Sequence, residues 1–357
     1  MSIRIERALR RAAPAVATYA IAAAAGWLAY LVRIPLPWVI GAMLATTAIT
    51  FAGWSPRLPA HGRNFGQFVL GMAIGLWFTP EAARQSAEHI GAMFAAAGGT
   101  LLVGCLLGLV HARIARSDMT TAFCSSVPGG PAEMAILARH YGAPGAPVAI
   151  AQALRICTLV LVIPPALTWS GVTGREFFAA EQTPFVPLGF AAMTAASLGL
   201  AWLFLRFRVV NAWFLAPTAF VATLSALDVR LSAVPWPMLE VCQVALGASL
   251  GAMFDRRFLL EARRFLPATC IVTGLLIVAC VTIALLLARA TGLPTGTLIL
   301  SLAPGSMTEM AVTAKVLHLG VPLVTAFHLL RIFLVVLLTP WLLALLHWAA
   351  RRLQSRT

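Results

Sequence analysis

The stretch "SSVPGGPAEMAILARHYG", residues 125–142, sets Pro128, Gly129, Gly130, Pro131 and Glu133 into a chain whose flanks read as membrane helix. A second copy, "SLAPGSMTEMAVTAKVLHLG", occupies residues 301–320, an offset of 176 residues. Pro304 stands over Pro128, Gly305 over Gly129, Ser306 over Gly130 and Glu309 over Glu133. The same offset aligns "GQFVLGMAIG" (66–75) with "CQVALGASLG" (242–251), and "LRICTLVLVIP" (154–164) with "LRIFLVVLLTP" (330–340). A repeat of this reach implies an internal duplication covering nearly the whole chain.

The background to these motifs is strongly apolar. The chain has 357 residues, 60% hydrophobic and 11% charged, well outside the composition of soluble domains. It reads as an integral membrane protein. Apolar segments fall near residues 15–34, 37–54, 64–79, 90–112 and 146–170 in the first half, and near 187–205, 212–228, 239–254, 266–288 and 322–348 in the second. The basic start followed by an apolar run is read as a retained first helix and not as a cleaved signal. The net charge of +14 comes from basic residues scattered between spans, without the patch or module that nucleic acid requires. The six cysteines lie in or beside apolar runs without a C-x-x-C pair, and imply packing, not disulfides.

Charge decides the expected topology. If each broken segment turns back, each half has five spans and the second half is inverted. One face then carries 18 of the 26 Lys+Arg, including Arg57, Arg256, Arg257, Arg263, Arg264 and Arg356. The other carries six, Arg33, Arg84, Arg175, Arg230, Arg289 and Lys315, with Arg155 and Arg331 inside spans. If each break crosses, the division is 14 against 10. The positive-inside bias favours the first arrangement, with both termini cytoplasmic in a bacterial-type inner membrane. The expected fold is all-α integral membrane: about ten transmembrane helices plus two re-entrant helical hairpins, in two inverted-topology repeats, 1–180 and 181–357.

Non-helical backbone at membrane depth must line protein or a wet cavity, because hydrocarbon offers no hydrogen bonds. In the motif, proline removes a donor and glycine permits a turn. Pro131 suits the first position of the following half-helix, whose N-terminal amides favour an anion. Glu133 and Glu309 then have two readings: caps of their own helices, or intramembrane carboxylates that couple protons or Na⁺ or contact substrate. Arg155 and Arg331, each 22 residues after its glutamate, also have two: ion pairs with those glutamates, or planar forks for an anionic substrate. Gln152 and His328 precede the arginines by three residues, and Gln67 and Gln243 repeat on short spans as hydrogen-bonding or cavity-lining residues. Gly71, Gly75, Gly247 and Gly251 read as close helix packing. No metal-ligand spacing, nucleophile triad or nucleotide-binding glycine pattern appears, so neither enzyme chemistry nor a metal or organic cofactor is expected.

The paired P-G-x-x-x-E-M motifs, each followed by an L-R-I span, resemble the AbrB-type membrane protein family, with its duplicated AbrB region, also catalogued as ammonia monooxygenase-like. The resemblance covers essentially the whole chain. It implies a polytopic inner-membrane protein and carries over Pro128, Gly129, Glu133, Met134 and Arg155 with Pro304, Gly305, Glu309, Met310 and Arg331. Family labels differ: transporter, regulator of gene expression, monooxygenase. The residues fit best a secondary transporter of a small, anionic metabolite, partnered by the lipid bilayer and, by analogy, a second copy of itself. A membrane regulator without transport is the alternative, and a metal-dependent monooxygenase the third reading.

Overall fold

The computed structural model describes residues 2–354 except Ser55, Arg57, 173–182, Val210, 255–261 and Arg263. Arg57, Arg175, Arg256, Arg257, Arg263 and Arg356, used above in the charge division, lie outside the described residues.

The described chain is helical, with no strand. Six helices are long and apolar enough to cross a membrane: α1 (Ser2–Leu31, apolar over Pro14–Leu31), α5 (Ile90–Ala115), α8 (Gly145–Trp169), α9 (Pro187–Arg206), α12 (Phe265–Thr291) and α15 (Val321–Gln354, apolar over Val321–Leu345). Shorter apolar helices are α2 (Pro37–Phe51) and α10 (Ala212–Ala226). The remaining helices are α3 (Ala60–Gly75), α4 (Pro80–Glu88), α6 (Met119–Ser126), α7 (Pro131–His140), α11 (Trp236–Gly251), α13 (Thr295–Leu302) and α14 (Met307–Val316). Every expected apolar span coincides with a helix. Large apolar side chains stand exposed on the long helices, among them Leu102 and Leu106 on α5, Leu188 and Trp202 on α9, and Val278 and Leu286 on α12. Apolar surface of that extent on this many helices suits lipid, not water.

The chain forms two compact units, each drawing on both sequence halves. The first comprises Met1–Glu88, Val160–Arg256 and Thr308–Leu323. The second comprises His89–Leu159, Arg257–Met307 and Val324–Thr357.

In the first unit the repeated glycines explain the packing. A Cβ at Gly71 of α3 would lie 2.6 Å from the Phe214 carbonyl oxygen of α10, and one at Gly75 would lie 2.7 Å from Val221 Cβ. On α11, a Cβ at Gly247 would strike the Val39 carbonyl of α2, and one at Gly251 the Met43 carbonyl. The exchange is reciprocal. The α3 of the first sequence half seats α10 of the second, and the α11 of the second seats α2 of the first. Bare glycine backbone is what allows the axes so close, since any side chain would occupy the partner's main chain.

In the second unit α5 packs on α12, its counterpart 176 residues later, and the short helices α6 and α13 lie against that pair. Gly104 of α5 faces Pro128, where a Cβ would come within 2.9 Å of the proline Cδ. Asp118 starts α6 by accepting from the Thr121 amide at 2.8 Å.

The glycine crossings predict a specific pattern of stability. Gly71→Val and Gly247→Val should each cost about 1–3 kcal/mol by overpacking, read as a lower midpoint in an SDS-unfolding titration of the detergent-purified protein. Gly98→Ala, within α5 and where an added Cβ meets nothing within 4 Å, should leave the midpoint unchanged or raise it.

Candidate functional site

Each P-G motif separates two half-helices. Residues 127–130 part α6 from α7, and residues 303–306 part α13 from α14. The backbone here is extended: Val127 has φ −65° and ψ 129°, Gly130 φ −78° and ψ 144°, and Ala303 φ −51° and ψ 126°. The motif glycines do not adopt positive φ. The expectation of a glycine-dependent turn is therefore corrected, because these glycines provide space. A Cβ at Gly129 would lie 2.6 Å from Met134 Cε, and one at Gly130 would collide with the Glu133 carboxylate. Glutamate and methionine follow the glycines because one folds its carboxylate, and the other its thioether, over them.

A helix that stops in the membrane leaves carbonyls without amides. In the second unit four buried side chains supply the missing donors. Gln152 Nε2 donates to the Cys124 carbonyl at 2.6 Å and the Val127 carbonyl at 2.9 Å. Arg155 donates from Nη1 to Val127 at 3.2 Å and from Nη2 to Gly129 at 3.1 Å. The second copy repeats the pattern at the 176-residue offset. His328 Nε2 lies 3.0 Å from the Leu300 carbonyl, and Arg331 donates from Nη1 to Ala303 and from Nη2 to Gly305 at 2.6 and 2.7 Å. A carbonyl can only accept, so His328 carries its proton on Nε2.

The arginine forks are thus spent on main-chain oxygens. Among the described residues neither arginine forms an ion pair with a carboxylate. Their charge faces the C-terminal, partially negative ends of α6 and α13, which favours a cation there. Both Nε atoms, together with Gln152 Oε1 and His328 Nδ1, are buried with no protein partner. Buried polar atoms left in this way are uncommon, and each of the four residues that brace the breaks carries one.

The glutamates differ. Glu133 is half-buried at the start of α7, and Glu309 is buried at the start of α14, its Oε2 accepting from Thr308 Oγ1 at 2.8 Å. Gln67 is buried on α3. Gln243 lines a cavity of about 700 Å³ in the first unit. Sequence reasoning passed over two residues. His111 on α5 is buried, 3.2 Å from Ser126 Oγ on α6 and 3.3 Å from Thr269 Oγ1 on α12. Its place in the second copy is Leu287, so the duplication gave no signal. Lys315, with its ammonium 5.9 Å from the Trp236 ring centre, also lines the cavity, and only tertiary packing brings the two together.

Removing a fork should unsettle its break. Arg155→Gln and Arg331→Gln should each cost about 1–3 kcal/mol per carbonyl left unsatisfied. Lysine should rescue poorly, since one ammonium cannot reproduce a planar two-point donor. Gly130→Ala should displace the half-buried Glu133 carboxylate, the end of a flexible side chain, at little cost, and a double-mutant cycle with Glu133→Ala read by the same unfolding titration should show that the two positions couple.

The chain has relatives among known proteins. The family model AbrB, described as transition state regulatory protein AbrB, matches residues 38–347. YhjN of Bacillus subtilis (strain 168), named an uncharacterized protein, is 27% identical over 357 aligned residues, covering 92% of each chain. A protein of Escherichia coli (strain K12) named "Putative regulator AbrB" is 26% identical over 324 residues, covering 88% of this chain and 90% of the relative. With the family model spanning both broken segments and both arginine helices, this chain belongs to the AbrB family.

Proposed function

We propose that this protein is a secondary transporter of a small organic anion, and that the braced breaks of the second unit form its binding element. One observation carries the reading: two buried arginines, with no carboxylate paired to either among the described residues, each keep an unused Nε donor beside a helix break. Main-chain oxygens satisfy the forks but do not neutralise the guanidinium charge, which is costly to hold away from water. An entering anion would offset that cost, which ties affinity to the charge of the substrate. The repeated breaks support a transporter further, since interrupted helices at membrane depth recur at the ion and substrate sites of secondary transporters.

The finer topology is part of the same proposal. Ten spans, two re-entrant hairpins, inverted halves at 1–180 and 181–357, and cytoplasmic termini in the inner membrane rest on the arginine asymmetry between faces. The proposed partners are lipid, substrate and a second copy of the chain, and nucleic acid is not among them. Protons or Na⁺ are the proposed drivers, with Glu309, buried and bonded to a hydroxyl, as the carboxyl that exchanges the coupling ion. No catalytic step, metal or organic cofactor enters the proposal.

A second reading is favoured by the relative named as a regulator: a membrane protein that acts on gene expression without moving a solute. Proteoliposomes enclosing a pH-sensitive dye separate the two. Steps of acetate, succinate, citrate or benzoate outside should give a saturable pH change inside for at least one anion at an imposed Na⁺ or proton gradient. Glu309→Gln should abolish coupling while the chain still elutes as a monodisperse peak. No response to any anion at either gradient would sink the transport reading and favour the regulator.

A further inference from the structure

The first unit contains a cavity that the braced breaks do not use. About 700 Å³ in volume, it is lined by Trp77, Trp236, Gln243, Lys315 and His318 together with aliphatic side chains such as Leu239 and Val312. That size falls within the range of small-molecule pockets, and the lining has the usual make-up of one: apolar walls with a few polar groups.

Its cation is unusual. Lys315 lies in the last turn of α14, partly buried, and among the described residues no carboxylate pairs with its ammonium. The face of Trp236 lies beside it, with the ring centre 5.9 Å from the ammonium. That ring is itself held. Its Nε1 donates to Glu240 Oε1 at 3.1 Å, one helical turn along α11. Glu240 therefore orients the aromatic wall. The bland reading is that Lys315 only complements the end of its helix. A surface lysine would meet that need in water, whereas this one is turned into a cavity beside an amide and two indoles.

We infer that this cavity is a binding site for a small monocarboxylate with a flat apolar body, the carboxylate held by Lys315 and the Gln243 amide and the body by the Trp77 and Trp236 walls. A cation over an aromatic ring and a side-chain amide recognise a carboxylate, and the surrounding indoles favour a ring or short chain over a hydrated anion. Phosphate lacks the apolar body, and benzyl alcohol lacks the charge. The site stands whether or not the chain transports, since it draws on none of the arginines or glutamates assigned above.

Benzoate, benzyl alcohol and inorganic phosphate are the probes, titrated calorimetrically into the full chain in detergent. Benzoate should bind saturably, and benzyl alcohol and phosphate about tenfold or more weakly. Lys315→Gln should weaken benzoate by about tenfold or more, while Lys315→Arg keeps most of the affinity. Trp236→Leu should weaken benzoate and narrow its preference over phosphate, because only benzoate uses the apolar wall. If Lys315→Gln misfolds, the Trp236→Leu and Lys315→Arg arms still decide. Equal binding of benzyl alcohol and benzoate, unchanged affinity in Lys315→Gln, or no benzoate binding at all would each overturn the assignment.

Discussion

The constraint on which this structure turns is the carbonyl group that has lost its amide. A membrane helix satisfies its own backbone, and a helix stopped by proline within the membrane does not. Water would repair the loss at a soluble helix end. Here the repair comes from side chains of another helix, and it needs donors with no acceptor of their own to feed. Arginine provides two in one plane, which matches two carbonyls separated by a single residue, Val127 with Gly129 and Ala303 with Gly305. Charge is the side effect of that choice. The chain accepts two buried cations to close two breaks, and the chemistry of the region follows from what can live beside them.

The duplication was legible because letters repeat, and the spans because hydropathy runs are long, as in the 27-residue α12, where an 18-residue stretch reaches a mean hydropathy of 2.9. α3 and α11 were legible both as apolar runs and through their match to each other at the 176-residue offset. α4 escaped, because Pro80–Glu88 carries Glu81, Arg84 and Glu88 and lacks an apolar run. Its Arg84–Glu88 pair is an exposed surface contact.

The site was harder to read, for a physical reason. Arg155 and Arg331 were visible as repeated intramembrane charge, and the natural search was for an acid of opposite sign. Their partners are main-chain oxygens, which every residue possesses and no letter marks. Likewise Gly129 and Gly130 suggested a turn, because glycine's freedom is the familiar reason to place it. The reason here is volume: Met134 and the Glu133 carboxylate fill the space that a methyl group would take. Lys315 and Trp236 lie on helices far apart in the sequence, so no spacing rule could join them.

The reciprocal seating of α3 on α10 and of α11 on α2 bears on how the chain is made. At ribosomal speeds of about 5–20 residues per second, α3 is complete roughly 8–30 seconds before the last residue of α10 exists. During that interval its glycine face has no partner, and α2 waits longer still. The first half is in this sense an unfinished surface, held in lipid until the second arrives to complete it. A half-length ancestor would have met the same need with a second molecule, so fusing the two copies turned an encounter between chains into an event within one.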